Sequence, residues 1–182
     1  MTARQPALIA VEGVAGPAIA AAARAALTSI DRATRGGVSH WDASGLFEEL
    51  AVADQSAGHP SVRTLLLLYA ADLAFRLRWE IRPALAEGRS VVAAPYVETA
   101  IAFGRAAGLG PAWLSNLFVF APRPTSRRFI DLSARGGRTS SGFVEFGCQH
   151  VAAANGVTRA ELMDRAAEYL RAKARRRRAS SV

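Results

Sequence analysis

Residues 7–27, ALIAVEGVAGPAIAAAARAAL, carry an apolar, β-prone stretch into Glu12-Gly13, then a loop of small residues, then an alanine-rich segment opened by Pro17. That order has the outline of a phosphate-binding loop, G-x-x-x-x-G-K-[ST], set between a buried strand and a helix. Gly13 takes the first glycine, whereas the second falls on Ala18, the lysine on Ile19 and the hydroxyl on Ala20. In such loops the lysine reaches the β- and γ-phosphates and the hydroxyl holds Mg²⁺. Isoleucine and alanine do neither. Lys173, near the C-terminus, is the one lysine of the chain, so no shift of register restores it. Gly13, Ala15, Gly16, Ala18, Ile19 and Ala20 therefore read as a degenerate phosphate loop, with the shape and without the chemistry.

The rest of the chain alternates in the same way. Short continuous apolar runs at 7–11, 90–94 and 117–121 suit buried parallel strands, and a weaker strand is expected at 38–41 after Gly36-Gly37. Helices are expected at about 17–35, 45–55, 62–86, 97–107 and 125–135. This is the pattern of an α/β fold, a doubly wound parallel sheet covered by helices on both faces. Ligands of such sheets sit beyond the C-terminal ends of the strands, which points to residues 12–18, 40–44 and 94–99. Residues 136–142 read as a flexible, lid-like loop, and 143–154 are ambiguous between helix and strand. Thr158 and Glu161 form a capping box that starts a last helix running to about residue 174. One domain over 1–174 and a frayed basic tail over 175–182 are expected.

Hydrophobic residues make up 51% of the 182, which excludes a disordered chain. The net charge of +8 is concentrated in the last dozen residues, where Arg171, Lys173 and the arginines at 175–178 crowd together. No aromatic residues interleave with them, so nucleic acid is not the expected partner. Cys148 has no second cysteine to pair with, which suits a reducing, cytoplasmic setting. No apolar run approaches the roughly 18–20 residues of a membrane span. His40, His59 and His150 are too widely spaced for a metal-ligand pattern, and no metal or cofactor is expected.

Residues 63–103, RTLLLLYAADLAFRLRWEIRPALAEGRSVVAAPYVETAIAF, carry a more specific signal. Arg63, Thr64, Tyr69-Ala70-Ala71-Asp72, Ile81-Arg82-Pro83-Ala84-Leu85, Gly88 and Tyr96 fall in step with a pattern that resembles the thymidylate kinase family of P-loop nucleoside monophosphate kinases. The glycine loop stands at the matching distance upstream. Residues 117–124 resemble that family's later strand and the proline after it, and Ala134-Arg135-Gly136 its approach to the lid, where Arg135 and Arg138 take lid positions. The resemblance implies the kinase fold and a homodimer formed through long helices, including the one over 62–86. It also implies a set of losses. Ala15 replaces an acidic loop residue, Ala94-Pro95 replace an Asp-Arg pair that works on metal and phosphate, Leu73 replaces an acceptor-binding arginine, and Ala100 replaces a serine or asparagine.

On that resemblance Tyr69 and Phe103 stand where aromatic rings wall the acceptor base, with Asp72, Leu73, Arg76, Tyr96 and Thr99 around them, while Asp42 echoes an acid near the acceptor phosphate. Packing alone reads Tyr69 and Phe103 equally well as core, and Asp72 as an i,i+4 partner of Arg76. Two functions stay open. The first is a pseudoenzyme that binds no ATP productively and acts as a binding partner. The second is a repurposed enzyme that uses the acceptor pocket for another small molecule, with Asp72, Glu98, Tyr96 and Asp42 as its candidate catalytic groups. A working nucleotide kinase and a nucleic-acid module led by the tail stand behind both. A scaffold predicts a collapsed cleft with Ile19 and Pro95 in the phosphate space.

Overall fold

The computed structural model of the protein describes residues 5–130 and 142–179, with the side chains of 53–57 left aside. Strand β1 (Leu8–Glu12) is buried along its whole length and leads into helix α1 (Gly16–Thr28), which has Pro17 in its first turn. The hydroxyls of Thr28 and Ser29 bond back to the carbonyls of Ala25 and Ala26. Hydroxyls that compete for the helix's own acceptors favour its end, so the helix stops seven residues before the expected point. β2 then starts at Arg35 and runs to His40.

Helix α2 (Leu46–Ala57) is followed by α3 (Val62–Arg76), which Ser61 caps through Thr64 N–H. A π-helical turn (Leu77–Ile81) and α4 (Arg82–Ala86) continue α3, so the helix expected over 62–86 is present with one bulged turn. β3 (Ser90–Ala94) is fully buried and leads to α5 (Val97–Ala106) and α6 (Pro111–Leu117). The four-stranded sheet is closed by β4 (Ser126–Phe129), in the order β2-β3-β1-β4 with all pairs parallel. After residue 142 come α7 (Phe143–Val151) and α8 (Arg159–Ala179).

Two elements correct the sequence reading. Residues 117–121 are no strand; they finish α6 and turn, leaving Val119 83% exposed. The strand lies instead at 126–129, where a helix is expected from sequence. β4 pairs only with β1 and sits at the sheet edge, so it carries Arg127 and Arg128 and lacks the apolar run of a central strand. The resemblance of 117–124 to a later kinase strand is thereby displaced a few residues along the chain. At the other end, α8 stays helical to Ala179, past the boundary expected for the tail. The lid-like loop falls on residues 131–141 for all but its last residue, so Arg135 and Arg138 lie outside the described residues.

Helices cover both faces of the sheet. Ile19, Ala23 and Ala26 of α1 pack on Ile9, Val11, Val92 and Ala94. The opposite face, with Leu8, Ala10, Val91 and Ala93, meets α3, α5, α7 and α8 in the larger core. Among the described residues no helix is long and apolar enough to cross a membrane.

Candidate functional site

The glycine loop is held by two carboxylates of the chain itself. Glu12, the last residue of β1, is completely buried. It accepts hydrogen bonds from the backbone N–H groups of Tyr96 (3.3 Å), Glu98 (3.2 Å) and Thr99 (3.0 Å), and from the Thr99 hydroxyl (2.7 Å). The N-terminus of α5, where positive peptide dipole is concentrated, therefore points at a carboxyl of the chain itself. Burial raises the Glu12 carboxyl to about 7, against the opposing pull of its Thr99 bonds and of Arg127. Gly13 N–H in turn donates to the Thr99 oxygen at 3.1 Å.

Glu145, equally buried, does the same for α1. One of its oxygens accepts from Gly16 N–H at 3.0 Å and from Gly142 N–H at 2.6 Å. Gly16 opens α1 and Gly142 precedes α7, so a single carboxylate joins two helix N-termini. The approach requires glycine on both sides: a Cβ on Gly16 would lie 2.5 Å from Gly142 N, and one on Gly142 would lie 2.9 Å from Gly16. Helix N-termini of this kind are ready-made phosphate sites, and here the negative charge comes from within. Residues 13–20 hold no lysine, arginine, serine or threonine, so side chains of the loop offer a phosphate nothing further.

Beside the loop lies a cavity of about 190 Å³, whose walls include Gly16, Ile19, His40, Trp41, Ala94 and Pro95. Small-molecule sites generally occupy roughly 300–1,000 Å³, so this one is small. His40 is its one titratable wall residue, and burial together with the nearby Arg76 charge lowers its pKa. A neutral imidazole supplies no countercharge. These walls do not fit a nucleoside triphosphate and its metal ion. Among the described residues no three His, Cys, Asp or Glu side chains converge as ligands.

The residues expected at the acceptor side are brought together, and α7 lies across them. Tyr69, Leu73, Phe103 and Phe143 are fully buried. The Phe143 ring is 4.3 Å from Tyr69 and 5.3 Å from Phe103, centroid to centroid, and it also meets Phe47 and Trp41. The Tyr69 hydroxyl donates to the Tyr96 carbonyl at 2.9 Å, and burial pushes its pKa up. Gly147 of α7 approaches so closely that a Cβ there would lie 2.5 Å from the Phe103 ring.

The polar candidates each have a partner. Asp72 accepts from Asp42 N–H (3.1 Å), Ser44 N–H (3.0 Å) and the Ser44 hydroxyl (2.9 Å), and it lies 3.8 Å from Arg76. Arg76 is fully buried and donates to Ser39 and to the carbonyls of Ser39 and Pro95. Asp42, in the left-handed region at φ 58°, accepts from Phe47 and Glu48 N–H and so caps α2; burial raises its pKa. The Tyr96 hydroxyl donates to the Pro122 carbonyl, and burial lifts it to about 12. Glu98 is not part of this group. It faces Arg127 (3.3 Å) and Lys173 (3.4 Å) instead. Cys148 is buried and its thiol is pushed up to about 12 by desolvation, which makes it inert.

Glu145 is the residue that sequence reasoning passes over, while Glu12 enters it only as the first residue of the expected crevice. A lone carboxylate ending an apolar strand marks Glu12 as a buried charge with a partner. For Glu145 only its place three residues after Gly142 hints at a cap, and nothing local points across 129 residues to Gly16.

No family model matches the chain. Two curated proteins are similar to it over 69 residues: a probable thymidylate kinase of Pyrococcus abyssi, 38% identical, and one of Pyrococcus horikoshii, 39% identical. The match covers 38% of this chain and 34% of each relative, so it spans about a third of their length. The crystal structure of thymidylate kinase from Ehrlichia chaffeensis superposes with a TM-score of 0.66 over 95% of this chain and 84% of that one, at 14% identity. That likeness is one of fold.

Proposed function

We propose that this chain, a relative of the thymidylate kinase family with a P-loop kinase fold, transfers no phosphate and acts as a homodimeric pseudoenzyme, a binding partner built on a kinase scaffold. The Glu145 carboxylate on Gly16 N–H carries this reading. Phosphoryl transfer rests on positioning and charge neutralisation. A loop that meets its own carboxylate at the helix N-terminus, and offers no cation or hydroxyl, repels the γ-phosphate it would have to hold. The narrow cavity walled by Ile19 and Pro95 supports the same reading. For the dimer, α3 and the turn after it expose Leu67, Phe75 and Trp79, at 54%, 39% and 62%. Leu67 and Phe75, eight residues apart on α3, fall within one broad helical stripe, and Trp79 follows in the π-helical turn.

The test is thermal stabilisation by ATP, ADP, dTMP and thymidine, each with and without Mg²⁺. A ligand at about 100 times its dissociation constant adds roughly 2.7 kcal/mol, a visible rise in Tm. The reading expects no rise with ATP and Mg²⁺, and such a rise overturns it. A rise with dTMP or thymidine alone would show an acceptor pocket that still takes a nucleotide, and favours the repurposed enzyme instead.

A further inference from the structure

Two carboxylates share one arginine where the sheet meets the last helix. Arg127 of β4 places its Nε 3.8 Å from Glu12 Oε1 and its Nη1 3.3 Å from Glu98 Oε1. Lys173 of α8 reaches that same Glu98 oxygen at 3.4 Å. A line of alternating charges thus runs from the buried end of β1, through the edge strand and α5, to the last turns of α8. It is unevenly bonded. Among the described residues Arg127 Nε and Glu98 Oε2 are buried without a hydrogen-bond partner, while two cations crowd onto the other oxygen of Glu98.

The gap at Arg127 follows from the protonation of Glu12. Glu12 Oε2 already accepts from Tyr96 N–H, Thr99 N–H and the Thr99 hydroxyl, so the proton of the neutral acid belongs on Oε1. There it keeps the Arg127 N–H from bonding. Loss of that proton leaves a charged acceptor within reach of a buried, unsatisfied donor, and charge-assisted bonds of this kind are the strong ones. Arg127 is the cation that acts on Glu12, and Glu98 of α5 is the like charge beside it. Tyr69 of α3 and Tyr96 at the start of α5 feel Glu12 but stay neutral, because burial raises both phenols. β3 carries no titratable side chain, and α1 carries only Arg24, which acts on His40.

We propose that Arg127 passes between Glu98 and Glu12 with the protonation of Glu12, and so sets how firmly Glu98 holds Lys173 and the last turns of α8. With Glu12 neutral, Arg127 competes with Lys173 for Glu98. With Glu12 ionised, Arg127 turns to it and the Glu98 oxygen is left to Lys173. Burial places that change at about 7, so the hold on α8 tightens as pH rises through it, even though the buried charge costs the fold as a whole. The inference stands whatever the glycine loop binds. The experiment is an NMR titration of the full chain from about pH 5.5 to about pH 8.5, a range that brackets the Glu12 value. It follows the Glu12 side-chain carboxyl carbon together with the backbone amides of residues 170–176. Those amides are expected to shift with the Glu12 midpoint. In Glu98→Gln the carboxyl should still titrate while the amides fall silent. In Arg127→Gln the Glu12 midpoint should rise, because the cation that lowers it is gone, and the amides should again fall silent. A dispersed spectrum verifies that each variant is folded. Amides that ignore the Glu12 titration in the parent protein would overturn the proposal, as would a Glu12 carboxyl that does not titrate in this range. So would an amide response that persists in either variant, since it would come from another titrating group, such as His150 of α7, the helix packed against α8.

Discussion

Glu145 and Glu12 show how single carboxylates set the character of the loop. Glu145 serves two backbone donors, and among the described residues its other oxygen has no hydrogen-bond partner. Glu145→Ala strands the N–H groups of Gly16 and Gly142, and about 2–6 kcal/mol of stability should be lost, at roughly 1–3 kcal/mol per orphaned group. Urea denaturation measures this; a change under about 0.5 kcal/mol, the size of an ordinary surface substitution, would mean the carboxylate is not held where the structure places it. Glu12 makes the opposite contribution. Its folded pKa of about 7 lies above the ordinary 4.5, so between those values the folded state binds the extra proton. Stability is then fullest below pH 4.5 and falls as pH rises through 7, by up to about 3 kcal/mol. Burial of Asp42 acts in the same direction at lower pH. Melts between pH 5 and 8.5 should show a declining Tm, and Glu12→Gln should flatten the slope; an unchanged slope in that variant counts against the assignment.

Among the elements, α7 decides what the acceptor side can do. Phe143 packs against Tyr69, Phe103, Phe47 and Trp41, so Phe143→Ala should cost about 3–5 kcal/mol, the usual effect of emptying a large buried aromatic site. Gly147→Ala should also destabilise, by about 1–3 kcal/mol through overpacking against Phe103. Chemical denaturation of the two variants checks both, and near-native stability in either would mean that α7 does not dock as described. Much of this architecture was legible in the sequence. β1, β3 and the long helix after Ser61 each announce themselves by continuous apolar runs. The edge strand did not, because Arg127 and Arg128 give it a polar face, while the apolar 117–121 lies in the end of a helix and its turn. Tyr69 and Asp72 were legible as a helix face. Their occupation by Phe143, and by Asp42 and Ser44, was not, since those contacts depend on how distant elements pack.

At the scale of the whole molecule, α3 and the turn after it leave an apolar face exposed. On the proposed reading, the face formed by Leu67 and Phe75 of α3 and Trp79 of the following turn meets a second copy of the chain. Light scattering after size exclusion should give a dimer, and Leu67→Glu with Trp79→Glu should give a folded monomer; a monomeric parent protein would remove the dimer from the account. The loop itself is the central claim, and its most direct test is to follow the backbone amide resonance of Gly16 by ¹⁵N NMR during titration with ATP and Mg²⁺. With Glu145 already bonded to that amide, the resonance is predicted to stay where it is at every ATP concentration. A saturable shift of Gly16 would show that the phosphate displaces the carboxylate, and would contradict the account.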